Sequence, residues 1–206
     1  MSPILANVAV DLFIKGGPIM YPLLIAIIVV IAVVGERILW LWRTVRSREP
    51  RVVGKILSSA EQGDWETAQK LAQSSSDPVS RVLLAGIQHR HHGFEESIQV
   101  SSADELRAAA KCIPLLDTLV TLAPLLGLLG TVSGIMGSFN SIGVDELAVA
   151  KVTGGIGEAL IATATGLGIA IFALIPLNIL SSTLAGLQAD FESAATQLQI
   201  LIQKKS

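Results

Sequence analysis

The sequence predicts an all-α membrane protein: three transmembrane helices, N-terminus outside and C-terminus inside, with long helices reaching into a cytoplasmic helical domain. Three observations carry this. The 206 residues are 51% hydrophobic and only 16% charged, with a mean hydropathy of +0.61, an apolar excess outside the soluble globular range. Three apolar stretches, residues 18–42, 113–139 and 154–180, are each long enough to cross a bilayer as a helix. Ten of the fifteen Lys and Arg residues fall between the first and second of them: Arg43, Arg46, Arg48, Arg51, Lys55, Lys70, Arg81, Arg90, Arg107 and Lys111. The positive-inside rule puts that polar segment in the cytoplasm.

Residues 1–17 form a short external segment, mildly amphipathic, ending in Gly16-Gly17-Pro18. Asp11 and Lys15 precede the first long apolar run, which lacks the short basic-then-apolar pattern and small-residue cleavage site of a signal peptide. It reads as a retained span over 18–42. Tyr21 at one end and Trp40 and Trp42 at the other suit the aromatic belts. Glu36 and Arg37 near its exit can pair, and Arg37 can snorkel to the interface.

Residues 43–112 read as a cytoplasmic helical domain. Gly63-Asp64-Trp65-Glu66 supplies a turn, an N-cap Asp and an acidic first turn. Asp77-Pro78 starts another helix. Ser102-Ala103-Asp104-Glu105 has capping-box spacing, and equally fits the interior of one long helix running from about Phe94 into the membrane. His89, His91 and His92 lie here without a carboxylate or cysteine to complete a metal set. The single cysteine, Cys112, excludes an internal disulfide and reads as a small apolar residue near a membrane face. The sequence indicates no metal, no cofactor, no nucleic-acid contact and no catalytic constellation.

The second span, 113–139, carries Gly127, Gly130, Gly134 and Gly137 at three- and four-residue spacing, which lets helices approach closely. An external loop, 140–153, holds Asp145, Glu146 and Lys151. The third span, 154–180, returns to the cytoplasm and continues as a C-terminal helix over 181–206. There Leu184, Leu187, Phe191, Ala194, Ala195, Leu198 and Leu201 recur at helical spacing.

The third span carries one full charge, Glu158. A carboxylate in a membrane span costs roughly 2.5–3.5 kcal/mol on insertion scales and commonly marks an ion or proton route; the plain alternative is an interfacial side chain reaching the headgroups. Thr165, seven positions on, lies on nearly the same helix face as Glu158, whereas Thr163 lies about 140° round. Thr131 is the polar residue nearest the middle of the second span. Asp117, at the start of that span, returns to within about 40° of the Thr131 face; it lines the same path or sits at the cytoplasmic interface. Each hydroxyl can instead bond back to its own preceding turn. With no second carboxylate at mid-membrane, the chain is not expected to conduct fast alone.

At these residues the chain resembles the MotA/TolQ/ExbB proton channel family, most closely its ExbB/TolQ branch. The resemblance covers nearly the whole chain. It rests on Gly16-Gly17-Pro18-Ile19-Met20-Tyr21-Pro22, Glu36-Arg37, Ala123-Pro124-Leu125-Leu126-Gly127-Leu128-Leu129-Gly130-Thr131-Val132, and the long run Gly154-Gly155-Ile156-Gly157-Glu158-Ala159-Leu160-Ile161-Ala162-Thr163-Ala164-Thr165-Gly166-Leu167. The flagellar MotA branch, with four spans and a larger cytoplasmic domain, fits less well. The resemblance implies a non-enzymatic, inner-membrane motor subunit driven by the proton motive force. It implies a homo-oligomer, a pentamer, whose second and third spans surround a dimeric ExbD/TolR-like single-span partner, with a TonB/TolA-like effector beyond it. In that family the partner's membrane aspartate carries the proton, and the roles of path-lining residues fall on Thr131, Glu158 and Thr163, with Asp117 and Thr165 as further pore-lining candidates. The chain departs from the family pattern at Asp117 and at Phe172, where a proline is expected; Pro176 would move the kink by one turn. The alternative function is a scaffold that holds partner helices without conducting.

Overall fold

A computed structural model describes residues 10–139 and 148–205, with side chains described from 153 to 204 in the second stretch. The expected external segment over 1–9 and the loop residues Asp145 and Glu146 lie outside the described residues, as does the side chain of Lys151. The described chain is helical: α1 (Met20–Arg46), α2 (Pro50–Gln62), α3 (Trp65–Ser74), α4 (Pro78–Gln88), α5 (Phe94–Ala109), α6 (Ile113–Phe139) and α7 (Ala148–Lys205). Three of these, α1, α6 and α7, are long and apolar enough to cross a membrane. Backbone contacts divide the chain into two compact units. One takes the residues up to Glu36 and Cys112–Asn178; the other takes Arg37–Lys111 and the residues from Ile179 onward.

In the first unit, α1 buries Met20, Leu23, Ala26 and Val30, one stripe at three- and four-residue spacing. The buried stripe of α6 is Leu116, Leu119, Ala123, Gly127 and Gly130. That of α7 is rich in alanine, with Ala159, Ala162 and Ala173 among its buried residues. Small residues let the α6 and α7 backbones approach, which is the way membrane helices gain contact where lipid removes the hydrophobic drive. A Cβ placed on Gly127 would stand 3.0 Å from the Thr163 Cα, and one on Gly134 would stand 3.0 Å from the Gly155 carbonyl oxygen. Gly137 behaves differently from the other three glycines of its series, because nothing lies within 4 Å of where its Cβ would be.

Two prolines lie inside these helices, Pro124 and Pro176. Each lacks the N–H that would bond four residues back, so the Val120 and Phe172 carbonyls lose that donor. Neither ends its helix; α7 continues unbroken through Pro176 for 58 residues in all.

In the second unit, α2 to α5 and the C-terminal part of α7 enclose a core of Ile56, Val82, Leu83, Ile87, Phe191 and Leu198, among others. The periodic apolar face of the C-terminal helix is the face that packs: Leu187, Phe191, Ala194 and Leu198 are buried. Each large side chain taken from water contributes roughly 1.5–3 kcal/mol. Asp64 caps α3 by accepting the Thr67 N–H at 3.0 Å, and Gly63 ends α2 with φ +86°, where glycine carries no Cβ penalty. Asp77 caps α4 through the Val79 N–H at 2.9 Å.

Two sequence readings are resolved here. Ser102-Ala103-Asp104-Glu105 lies inside α5 and caps nothing, yet α5 stops at Ala109 and does not run on into the apolar stretch. The physical reason is Pro114: a continuous helix would press its ring on the Ala110 carbonyl and lack an N–H to bond it. The chain turns instead, with Cys112 at φ +67°. Arg37, expected to snorkel, is 2% exposed. Its Nη1 donates to the Ala109 carbonyl at 3.3 Å, and its guanidinium stands 5.5 Å from the centre of the Trp40 ring. An open helix-end carbonyl and an aromatic face supply the partners that make burial of this charge tolerable.

Candidate functional site

The candidate site is the seam between α6 and α7 where the Gly-rich part of one helix meets the small-residue part of the other. Would-be Cβ atoms report the register. Gly134 faces Gly155 and Ala159, Gly130 faces Ala162, Gly127 faces Thr163, and Gly166 faces the Ala123 carbonyl. The helices therefore run antiparallel, and these pairs set Thr131 level with about residue 160, or about 3 Å from Glu158 and about 4.5 Å from Thr163 along the axis. Thr131 thus lies in depth between Glu158, 27 positions on, and Thr163, 32 positions on, which are themselves about 7.5 Å apart along α7. Thr165 is about 7.5 Å from Thr131 on the same measure, and Asp117 lies about 21 Å from Thr131 along α6.

The hydroxyls have different partners. Thr163 Oγ1 donates across the seam to the Gly127 carbonyl at 2.8 Å. Thr131 Oγ1 donates to the Leu128 carbonyl at 2.6 Å, and Thr165 Oγ1 to the Ile161 carbonyl at 2.8 Å, so both bond back within their own helix. Such a bond uses the hydroxyl proton and leaves the oxygen lone pairs available to accept. Asp117 is exposed, and its backbone carbonyl accepts the Thr121 hydroxyl at 3.2 Å.

Glu158 is half-buried. Among the described residues its carboxylate has no hydrogen-bond or ion-pair partner; it lies against the backbone of Gly17. A Cβ on Gly17 would overlap the Glu158 Oε1 and Cδ and stand 3.0 Å from its Cγ, and Gly17 has φ +70°. The turn before α1 thus reaches the depth of Glu158 and Thr131. Ile19, two residues on, fills the space beside Gly130.

The structure places Thr131 in depth between Glu158 and Thr163, within about 5 Å of each along the axis, sets Thr165 about two turns of helix beyond Glu158, and leaves Asp117 apart at the start of α6. Gly17 and Gly127 were not among the residues singled out as a site. Gly16-Gly17-Pro18 carries the local signal for a turn, since glycine tolerates positive φ and proline opens a helix; its contact with a residue 141 positions away leaves no trace in the spacing. The three histidines hold no metal constellation: among the described residues no group of three or more His, Cys, Asp or Glu side chains is placed to bind an ion.

Comparison with known proteins adds an independent line. The model of the MotA/TolQ/ExbB proton channel family matches residues 74–193. The chain is similar to the ExbB-like 1 protein of Synechocystis, 32% identical over 202 residues that cover 94% of this chain and 79% of the relative. It is similar to the Tol-Pal system protein TolQ of Pseudomonas aeruginosa, 28% identical over 81% of this chain and 82% of that protein. It is also similar to the biopolymer transport protein ExbB of Pseudomonas putida, 41% identical over 62% of this chain and 40% of that one.

Proposed function

The chain belongs to the MotA/TolQ/ExbB proton channel family, in its ExbB/TolQ branch, and is a multi-pass subunit of a membrane energising complex; from that premise we propose that it forms the proton path of an inner-membrane motor driven by the proton motive force. The observation that carries this reading is that Thr131 lies in depth between Glu158 and Thr163 on two closely packed, antiparallel helices. One carboxylate that can exchange a proton and two hydroxyls that can hold water or solvate a second carboxylate make a polar level in an otherwise apolar seam. A single carboxylate is half of a relay. The other half is the membrane aspartate of an ExbD/TolR-like partner, with five copies of this chain around two copies of that one, and a TonB/TolA-like effector receiving the force. The arginine-rich segment lies in the cytoplasm, so the Glu158 end of the seam opens outward and Asp117 lies toward the inner face, a further pore-lining residue together with Thr165.

Gly127, Gly130 and Gly134 are used within the protomer. Contacts between copies then fall to open positions such as Gly154, Gly157 and Gly168, none of which has a neighbour within 4 Å of its would-be Cβ. Native mass spectrometry in detergent showing only monomer would count against the oligomer.

The deciding experiment is proton flux in liposomes holding this chain with its partner, against each alone and against Glu158→Gln. Flux that needs both proteins and is lost in Glu158→Gln supports the channel. A second reading has its own observation: all three threonine hydroxyls already have acceptors inside the protomer, as packing residues would. Stable co-assembly with no flux above the lipid background would establish that scaffold role instead.

A further inference from the structure

We propose that Gly17 is a positioning residue for Glu158: the turn Gly16-Gly17-Pro18 is a seat that holds the carboxylate at the level of Thr131. The space where any other residue would place its Cβ is filled by the movable end of the Glu158 side chain, and the backbone there has φ +70°, so a side chain at position 17 would strain the backbone and displace the carboxylate. The seat is itself fixed. The Gly16 N–H donates to the Leu12 carbonyl at 2.9 Å, and the Gly17 carbonyl accepts the Met20 N–H at 3.1 Å. The Phe13 and Tyr21 rings meet edge to face at 5.3 Å across the turn. A Cβ on Gly16 would come within 2.5 Å of the Met20 Cγ and 3.2 Å of the Ile161 Cγ2, and Ile161 lies on the α7 face of Glu158. Ile19 wedges against Gly130, 2.8 Å from its would-be Cβ. Both neighbouring helices therefore hold the turn, and the turn limits the rotamers open to Glu158. Among the described residues no ion pair holds the Glu158 carboxylate, and steric contact with the turn gives it a fixed place.

The consequence for motor output rests on the proton-path reading; the seat itself does not, and its test is chemical. The purified complex is treated with dicyclohexylcarbodiimide, which modifies carboxyl groups, and the modified fraction at residue 158 is followed by mass spectrometry. Gly17→Ala is compared with wild type, and Gly17→Ala/Glu158→Asp with Glu158→Asp. Gly93→Ala is the strain control, because Gly93 also has positive φ, +78°, and a Cβ there would stand 3.9 Å from Glu96 Oε2. The expected result is a change of at least about threefold in the modification rate when Gly17→Ala is made in the wild-type chain, and little change when it is made in the Glu158→Asp variant, where the side chain is a methylene shorter. Gly93→Ala should leave the rate at residue 158 unchanged. Equal effects in both backgrounds, or none in either, overturn the proposal. Should Gly17→Ala fail to assemble, Ile19→Ala decides: it loosens the wedge without touching position 17, and an unchanged rate at Glu158 overturns the seat. Wild-type output from Glu158→Gln would sink the proton-path reading and leave the modification result standing.

Discussion

The Thr163 hydroxyl donates to the Gly127 carbonyl oxygen at 2.8 Å. That carbonyl is also the acceptor which the α6 helix assigns to the backbone N–H of Thr131, four residues on. One oxygen therefore joins the two threonines, one through its side chain and the other through its main chain. Only glycine at 127 brings the helices close enough for this, since a Cβ there would press on the Thr163 backbone. The bond makes Thr163 part of the α6–α7 contact as well as part of the polar stretch of the seam that begins at Glu158.

Thr163→Val keeps the shape and removes this bond. The cost should be about 0.5–1.5 kcal/mol, because the carbonyl retains its helical N–H. The complex should still assemble, melt slightly lower, and lose most proton-dependent output; Thr163→Ser should recover much of both. Thr165→Val is the internal comparison. Its hydroxyl donates to Ile161 in its own helix, so melting should stay near wild type, and because it lies about two turns beyond Glu158 its loss should cost less output than the loss of the Thr163 hydroxyl. A defect in Thr165→Val alone would show that the shared face with Glu158 matters and the bond to Gly127 does not.

Thr131→Val tests a hydroxyl that no other helix among the described residues engages. Its bond to Leu128 is intrahelical, and replacing it changes helix stability by little. Melting and co-purification with the partner should be unchanged while proton flux falls at least about tenfold, the effect of losing roughly 1.4 kcal/mol at a step that needs the hydroxyl. A full loss of assembly would instead make Thr131 a contact between chains.

Asp64 carries a pH dependence. The hydrogen bond with the Thr67 side chain first, and the Thr67 backbone N–H second, hold its carboxyl below the ordinary value of 3.8. A carboxyl whose folded value is depressed adds stability above its unfolded value, and that stability is lost as pH falls through the folded one. Wild type should therefore lose melting temperature faster than Asp64→Ala as pH drops below about 4. Parallel curves would show that the cap contributes nothing through its charge.

The three spans were legible because membrane helices must be long and apolar throughout, a constraint that survives without tertiary context. The caps at Asp64 and Asp77 were legible for a similar reason, since each is a local pattern with one physical use. Arg37 was not. The snorkelling habit of long cations is general, but its buried contact with the Ala109 carbonyl depends on a residue 72 positions away. Glu158 stood out as a charge in an apolar run, whereas Gly17 did not, because a glycine that makes room for a distant side chain looks the same as one that makes a turn. The comparison of Thr163 with Thr165 turned on the same distinction. The helical wheel places residues around one axis and is silent about the neighbour that Thr163 meets.

Asp77 is 1% exposed and anchors the second unit. One carboxylate oxygen accepts the Val79 N–H at 2.9 Å and the other the Glu49 N–H at 2.7 Å. Arg48 lies 3.6 Å away through Nε, and its Nη2 reaches Asp190 on α7. The Asp77 N–H in turn donates to Ser75 Oγ at 3.2 Å. This group satisfies the N-terminal amides of α2 and α4 while tying the α1–α2 connection to α7. Asp77→Ala leaves two amides and a partly buried guanidinium short of an acceptor, which should cost about 3–5 kcal/mol. Asp77→Asn keeps one acceptor oxygen but removes the charge, and should cost about half as much. Asp190→Ala removes only the more exposed partner of Arg48 and should cost at most about 1 kcal/mol. Thermal unfolding followed by circular dichroism ranks the three. A loss for Asp190→Ala equal to that for Asp77→Ala would mean that the outer ion pair, and not the buried cap, holds the α1–α2 connection in place.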